Sequence, residues 1–246
     1  MKSLIAAVLA VLAMPLAAQA QSDALWEWRP SGRLDVVQVV DPGPEVIHEV
    51  SLGFRLPILG GDNNNKTGDK WSDVYRPVGF GFFAQYSALF RVSPVVSVGP
   101  YISVSTDVFV GDLVTADTTA GNAGLIDVDP ISETRLVFGA RVREQWGAFV
   151  FDQNLGIGPI FYGSGTGTQN FLVTDDEVEI IKASANLTFE IGFRVAAAVS
   201  RHVDLGLGFV YELNGRPDVG KDITDPTFEF KAQSNLVISF VINLNF

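Results

Sequence analysis

The residues of this chain best placed to do chemistry are charged side chains spaced two apart within long apolar stretches. They are Glu49, Arg55, Arg91, Asp107, Glu133, Arg135, Arg141, Arg143, Lys182, Glu190, Arg194, Asp204, Glu212, Glu229 and Lys231, eight basic and seven acidic. An isolated buried charge is expensive, so a near-balanced set on one face of a narrow structure predicts mutual ion pairing. Nucleophilic chemistry has less to stand on. There is no Cys, which removes disulfides and thiolate reactions. The two histidines, His48 and His202, are read as structural. Residues 163–168 are glycine-rich, but no helix follows to receive a phosphate, so they read as a loop tip. Residues 62–69 have the composition of a calcium loop, yet Lys66 interrupts the ligand spacing and no bidentate Glu stands at the right offset. No metal and no cofactor are expected.

Those charges need strands to position them. Eight segments alternate with period two: residues 45–56, 78–92, 95–110, 131–143, 146–162, 181–197, 203–213 and 228–246. In the first, Val46, His48, Val50, Leu52, Phe54 and Leu56 oppose Glu49, Ser51, Gly53 and Arg55. In the fifth, Phe149, Phe151, Leu155, Ile157 and Phe161 oppose Asp152, Asn154, Gly156 and Gly158. Such alternation means strands with one apolar and one polar face. Pro100 removes a ladder donor, so a local distortion or bulge is expected in the third segment. The last segment is too long for an ordinary strand of about 5–6 residues. It suits a tilted strand crossing a bilayer, which needs about 9–11 residues plus overhang.

Connections alternate as well. Three are tight, at residues 93–94, 144–145 and 200–202. Four are long and rich in Gly, Asn and Asp, at residues 57–77, 111–130, 163–179 and 214–227. This rhythm predicts an all-β, eight-stranded antiparallel up-and-down transmembrane β-barrel with short periplasmic turns and long extracellular loops. Trp146 at the tight-turn end, and Trp71, Tyr75 and Tyr162 at the other, fit aromatic girdles.

Lys2, the apolar run of residues 4–16 and Ala18-Gln19-Ala20 read as a cleaved signal peptide, residues 1–20. Residues 21–44 read as a periplasmic extension, with a short strand expected within 33–40, and residues 45–246 as the barrel. Cleavage leaves 16 Lys+Arg against 28 Asp+Glu, a net charge of −12. That balance argues against nucleic acid as a partner. A balanced barrel interior places the excess negative charge in the loops.

Phe246 ends the last segment, whose apolar face includes Phe240 and Leu244. This strand resembles the closing strand of bacterial outer-membrane barrels, whose terminal Phe is read by the barrel-assembly machinery. With the connection rhythm, the chain resembles the small outer-membrane barrels of the OmpA/OmpX/OmpW-like group, and no family-specific motif is matched. The resemblance implies an outer-membrane location, with outer-membrane lipid and lipopolysaccharide as partners. Two acidic outer loops, Asp127 with Asp129 and Asp175, Asp176, Glu177 with Glu179, would then bridge lipopolysaccharide phosphates through divalent cations. Lipid A-modifying barrels of similar size use a Ser/His site facing the outer leaflet. His48 and His202 both fall at the periplasmic end, so no enzyme is expected. The reading is a salt-bridged interior with a structural or surface-interaction role. The alternative is a narrow channel for small solutes, for which inward Gly79, Gly81, Gly99, Gly156, Gly158, Gly206 and Gly208 leave room.

Overall fold

A computed structural model describes residues 25–28, 34–37 and 46–246, less 63–69, 117–123, 171–174, 201 and 224–228. The signal-peptide reading and the tip of the calcium-like loop lie outside the described residues. Leu25–Trp28 and Leu34–Val37 pair antiparallel as a separate two-stranded sheet.

Eight strands close into a barrel: Val46–Gly60, Phe80–Arg91, Val96–Phe109, Ile131–Trp146, Phe149–Tyr162, Ser184–Ser200, Val203–Asn214 and Gln233–Asn245. They are called the first to eighth strands below. Each is antiparallel to both neighbours, and the eighth closes on the first. Strand lengths of 12 to 17 residues exceed what a sandwich strand needs. Side-chain parity follows the sequence. Leu52, Phe82, Phe138, Leu187 and Phe240 face out and are exposed, whereas Glu49, Ser51, Gln85, Arg135 and Asn235 face in and are buried. Phe82 is 64% exposed and Leu187 62%, in a band of large apolar side chains around the wall. A closed sheet has no unpaired edge, and an apolar exterior of this kind is the form in which a sheet crosses a bilayer.

Local chemistry sets the corners. The turn after the fourth strand falls at Gly147 and Ala148, not at 144–145, because Gly147 takes a positive φ of 59° that glycine adopts without strain. Ser93 Oγ accepts from the Val96 amide at 3.0 Å and holds the first tight turn. Pro100 does not shift the register. The ladder to the second strand skips the two pairs opposite Gly99 and Pro100 and resumes in phase. The ladder between the fourth and fifth strands skips Gly158 and Pro159 in the same way. A Cβ on Gly99 would stand 1.8 Å from the Ala88 carbonyl, and one on Gly158 1.9 Å from that of Leu136. Both Gly-Pro pairs therefore let the neighbouring backbone close in where a donor is missing.

The described parts of three long connections pair as strands rather than forming loops. Leu113–Ala116, Gly124–Val128, Gly165–Asn170, Asp175–Lys182 and Asp218–Val219 form a five-stranded sheet at the rim. Residues 165–168 are thus strand, not a loop tip. Under this sheet Leu59, Phe109, Ile131, Ile160 and Tyr162 from the barrel pack with Trp71, Tyr75, Val128, Ile181 and Phe230. Trp71, Tyr75 and Tyr162 are 1–4% exposed, so they cork the mouth instead of forming a girdle. The reason is the four-residue helix Trp71–Val74, which is tied to the barrel rim and turns both aromatics inward. Its ties include Asp112 N donating to Val74 O at 3.0 Å and Arg76 N to Val110 O at 2.8 Å. Trp146, at the other end, is 44% exposed.

The last residue completes the closure. Phe246 N donates to His48 O at 2.8 Å, and His48 N donates to Phe246 O at 3.3 Å. Phe246 is 72% exposed, so its ring adds little to the folded barrel's packing. Deleting Phe246 is expected to lower the fraction that reaches the folded, heat-modifiable gel form sharply. The equilibrium stability of the molecules that do fold is expected to fall by about 1–2 kcal/mol at most, for the backbone bonds lost. Equal folded fractions with and without Phe246 would contradict this.

Candidate functional site

The inward face carries two layers of ion pairs. The layer nearer the long connections joins the first, third, fourth and seventh strands. Arg55 is bidentate to Asp107, with Nε to Oδ1 at 3.1 Å and Nη2 to Oδ2 at 3.0 Å. It also reaches Glu212 Oε1 at 2.5 Å. Arg135 donates to Asp107 Oδ2 at 2.5 Å, pairs with Glu133, and stands 3.5 Å from Glu212 Oε2. Two guanidiniums thus share three carboxylates, and Asp107, Arg135 and Glu212 are fully buried. These bonds cross the lumen from wall to wall.

The second layer lies toward the tight turns. Arg141 pairs with Glu49 and with Asp152 at 2.7 Å, and donates to Ser87 Oγ at 3.1 Å. Arg143 pairs with Glu49, with Asp152 at 3.0 Å and with Asp204 at 3.3 Å. Ser51 Oγ donates to Glu49 at 2.7 Å, and Arg194 donates to Ser51 Oγ at 3.0 Å and Asn243 Oδ1 at 2.9 Å. The nearest carboxylate to Arg194 is Glu49 at 3.8 Å. Buried pairs of this kind gain little net stability over an apolar core, but losing one partner is costly.

Between the layers, Tyr101 Oη donates to Glu190 Oε1 at 2.7 Å, with Asn154 Nδ2 3.3 Å from the same oxygen. The inward glycines do not leave a passage. A Cβ on Gly156 would meet Tyr101 Oη at 2.1 Å, and one on Gly53 would meet the Phe83 ring at 2.3 Å. Side chains from neighbouring strands lie over these two, whereas Gly99 and Gly158 are met by neighbouring backbone.

Among the described residues, twelve of the thirteen buried charges face the lumen: Glu49, Arg55, Asp107, Glu133, Arg135, Arg141, Arg143, Asp152, Glu190, Arg194, Asp204 and Glu212, with Glu144 on the opposite parity. Asp152 was not among the charges singled out from the sequence, although its alternation with Asn154 and Gly156 puts it on the polar face. Four of those singled out do not join the network. Arg91 ends the second strand and is half-buried. Lys182, Glu229 and Lys231 are exposed at the rim. The sixth and eighth strands begin at Ser184 and Gln233, and beyond them the chain follows the rim sheet and the mouth cluster. Ile181 and Phe230 turn into that cluster, which sends Lys182, Glu229 and Lys231 to solvent. There Lys231 pairs with Asp62 at 2.9 Å, and Arg216 pairs with Glu229. The expected balance of eight against seven becomes five arginines against seven carboxylates.

The histidines sit at the tight-turn end. His48 Nδ1 lies 2.7 Å from Tyr86 Oη on the outer wall, and His202 Nδ1 3.0 Å from Asn245 O. Phe240 faces out in a row with Phe54 and Leu207, and Leu244 lies opposite Val50 and Val203. The acidic residues of the long connections lie on the rim sheet. Asp127 and Glu177 flank Thr168, Glu179 flanks Thr166, and Asp129 accepts from Thr166 Oγ1 at 2.5 Å. Among the described residues no group of three or more His, Cys, Asp or Glu is arranged to hold a metal ion.

No protein-family model matches the chain. No curated protein matches it. Solved structures of similar fold include Ail, the attachment invasion locus protein of Yersinia pestis, in complex with a heparin analogue. It shares 12% identity over 82% of this chain and 99% of its own, with a TM-score of 0.43. The outer-membrane protein AlkL, in lipid bilayers, shares 14% over 82% and 90%, with a TM-score of 0.44. The outer-membrane protease OmpT of Escherichia coli shares 8% over 85% and 99%, with a TM-score of 0.46. At such identities and TM-scores the likeness assigns no role to this chain.

Proposed function

We propose that this protein is an outer-membrane barrel with a closed, ion-paired interior that serves as a structural or surface-interaction protein. The observation that carries this reading is the cross-lumen layer of Arg55, Asp107, Arg135 and Glu212, capped by the aromatic mouth cluster. A solute would have to break several charge-assisted bonds to pass. The part offered to partners is the rim sheet, with Asp127, Asp129, Glu177 and Glu179 on its outward face. Lipopolysaccharide phosphates bridged by divalent cations are the partner this face suits, and the assembly machinery is the partner of the closing strand. We read the chain as non-enzymatic, because both histidines lie at the end away from the rim sheet. Export by a cleaved leader, residues 1–20, belongs to the same reading.

Two measurements test it. An epitope inserted between Lys221 and Asp222, an exposed rim turn, is expected to be labelled on intact cells. One inserted between Ser93 and Pro94 is not, and the reverse pattern would sink the topology. Proteoliposomes carrying the barrel are expected to swell in small sugars and amino acids no faster than empty vesicles. Faster swelling would favour the narrow-channel reading.

A further inference from the structure

A small, partly open cavity of about 30 Å³ lies where the two arginine layers meet, with Phe83, Phe193, Val210 and Val237 forming the apolar part of its wall. That is room for about one water. Glu190 and Arg194, both on the sixth strand, line it together with Arg55, Gln85, Ser103, Asn154 and Ser239. Glu190 is 6% exposed and Arg194 8%. Neither has an opposite charge within 3.5 Å among the described residues. Glu190 is held by the neutral donors Tyr101 and Asn154. Arg194 is held by the neutral acceptors Ser51 and Asn243, with its nearest carboxylate 3.8 Å away. Every other buried carboxylate of the network has a guanidinium within 3.3 Å.

We propose that this cavity is a binding site for a single internal water that donates to Glu190 and accepts from Arg194. The bridge would turn two separately buried charges into one water-mediated ion pair. The lining selects the ligand. A cation there would face the guanidiniums of Arg55 and Arg194, and an anion would face Glu190. A neutral molecule with both donor and acceptor suits both. The hydroxyls of Ser103 and Ser239 and the amides of Gln85 and Asn154 also line the cavity and offer further partners toward the two to four bonds a buried water takes. Arg55 belongs to the outer layer and Arg194 to the inner one, so the cavity touches both layers.

The proposal rests on the lumen being closed, and its test separates the two failures. A double-mutant cycle of Glu190→Gln and Arg194→Gln is read as urea-unfolding equilibrium constants of the full chain in lipid vesicles. The cycle is repeated in a Gly208→Ala background. That methyl points into the cavity, 3.9 Å from Arg194 Nε, and its close contact is the Ser239 hydroxyl, which can rotate away. In the otherwise wild-type chain, the double variant is expected to be about tenfold more stable than the product of the single effects. In the Gly208→Ala background that coupling is expected to fall to about unity. Solid-state NMR of the wild-type barrel is expected to show a water cross-peak to the Arg194 guanidinium. If Gly208→Ala fails to fold, the wild-type cycle and the cross-peak decide. An additive cycle, coupling that survives Gly208→Ala, or no cross-peak overturns the proposal. Solute permeation by the wild-type barrel would overturn the closed-lumen reading as well.

Discussion

Replacing Arg135 with Met is expected to destabilise the barrel by about 3–5 kcal/mol, measured by urea unfolding in lipid vesicles. Arg135 is fully buried and bonds Asp107 and Glu133, with Glu212 at 3.5 Å. Its loss leaves Arg55 as the single guanidinium for three carboxylates, and Glu133 has no other ionic partner at salt-bridge distance among the described residues. Arg194→Gln is the contrast. Arg194 donates to the neutral acceptors Ser51 and Asn243, and its nearest carboxylate is 3.8 Å away. Its cost is expected to be about 1–2 kcal/mol, that of one charge-assisted hydrogen bond weakened. Both residues are inward arginines in the sequence, and only the geometry separates them. Equal costs for the two would mean that the ion-pair layers do not act as drawn.

Trp71→Ala is expected to have an effect of similar size at the mouth, about 3–5 kcal/mol. Trp71 is the largest side chain of the cluster and stacks on Phe230 at 5.4 Å and Tyr75 at 6.4 Å. Trp71→Phe should be nearly neutral by comparison. The indole N–H is buried without a hydrogen-bond partner among the described residues, so Phe removes an unsatisfied donor along with some packing. Hydrogen exchange at the Trp71–Val74 helix and the rim sheet reads this locally. Unchanged protection in Trp71→Ala would show that the cork is not held by its aromatics.

The barrel itself was legible because period-two alternation is unambiguous over a dozen residues. Glu49, Ser51 and Arg55 against Val50, Leu52 and Phe54 assign both faces of the first strand. What alternation does not show is where it stops. Lys182, Glu229 and Lys231 continue the inward parity of their segments, yet the chain has already left the barrel for the rim. Glycine and acidic residues marked the long connections as loops. Their Thr, Val and Ile residues instead pair into a sheet, since strands from different connections meet there. Trp71 and Tyr75 were girdle candidates by position along the chain, and a single turn of helix rotated them into the mouth. Pairing partners were the least accessible feature. Glu190 and Arg194 share the inward face of the sixth strand, while the structure gives one a tyrosine and the other a serine and an asparagine. The inward glycines suggested space, and at Gly156 the Tyr101 side chain occupies it.

If the ion-pair layers shut the lumen, planar-bilayer conductance registers it. The wild-type barrel is expected to show no resolved single-channel current at neutral pH. Asp107→Ala, which removes the carboxylate shared by Arg55 and Arg135, is expected to raise leak current or to unfold, and to leave no stable open level. A steady wild-type conductance whose cation-to-anion preference shifts in Arg135→Met would contradict the account, because those charges would then line a hydrated pore.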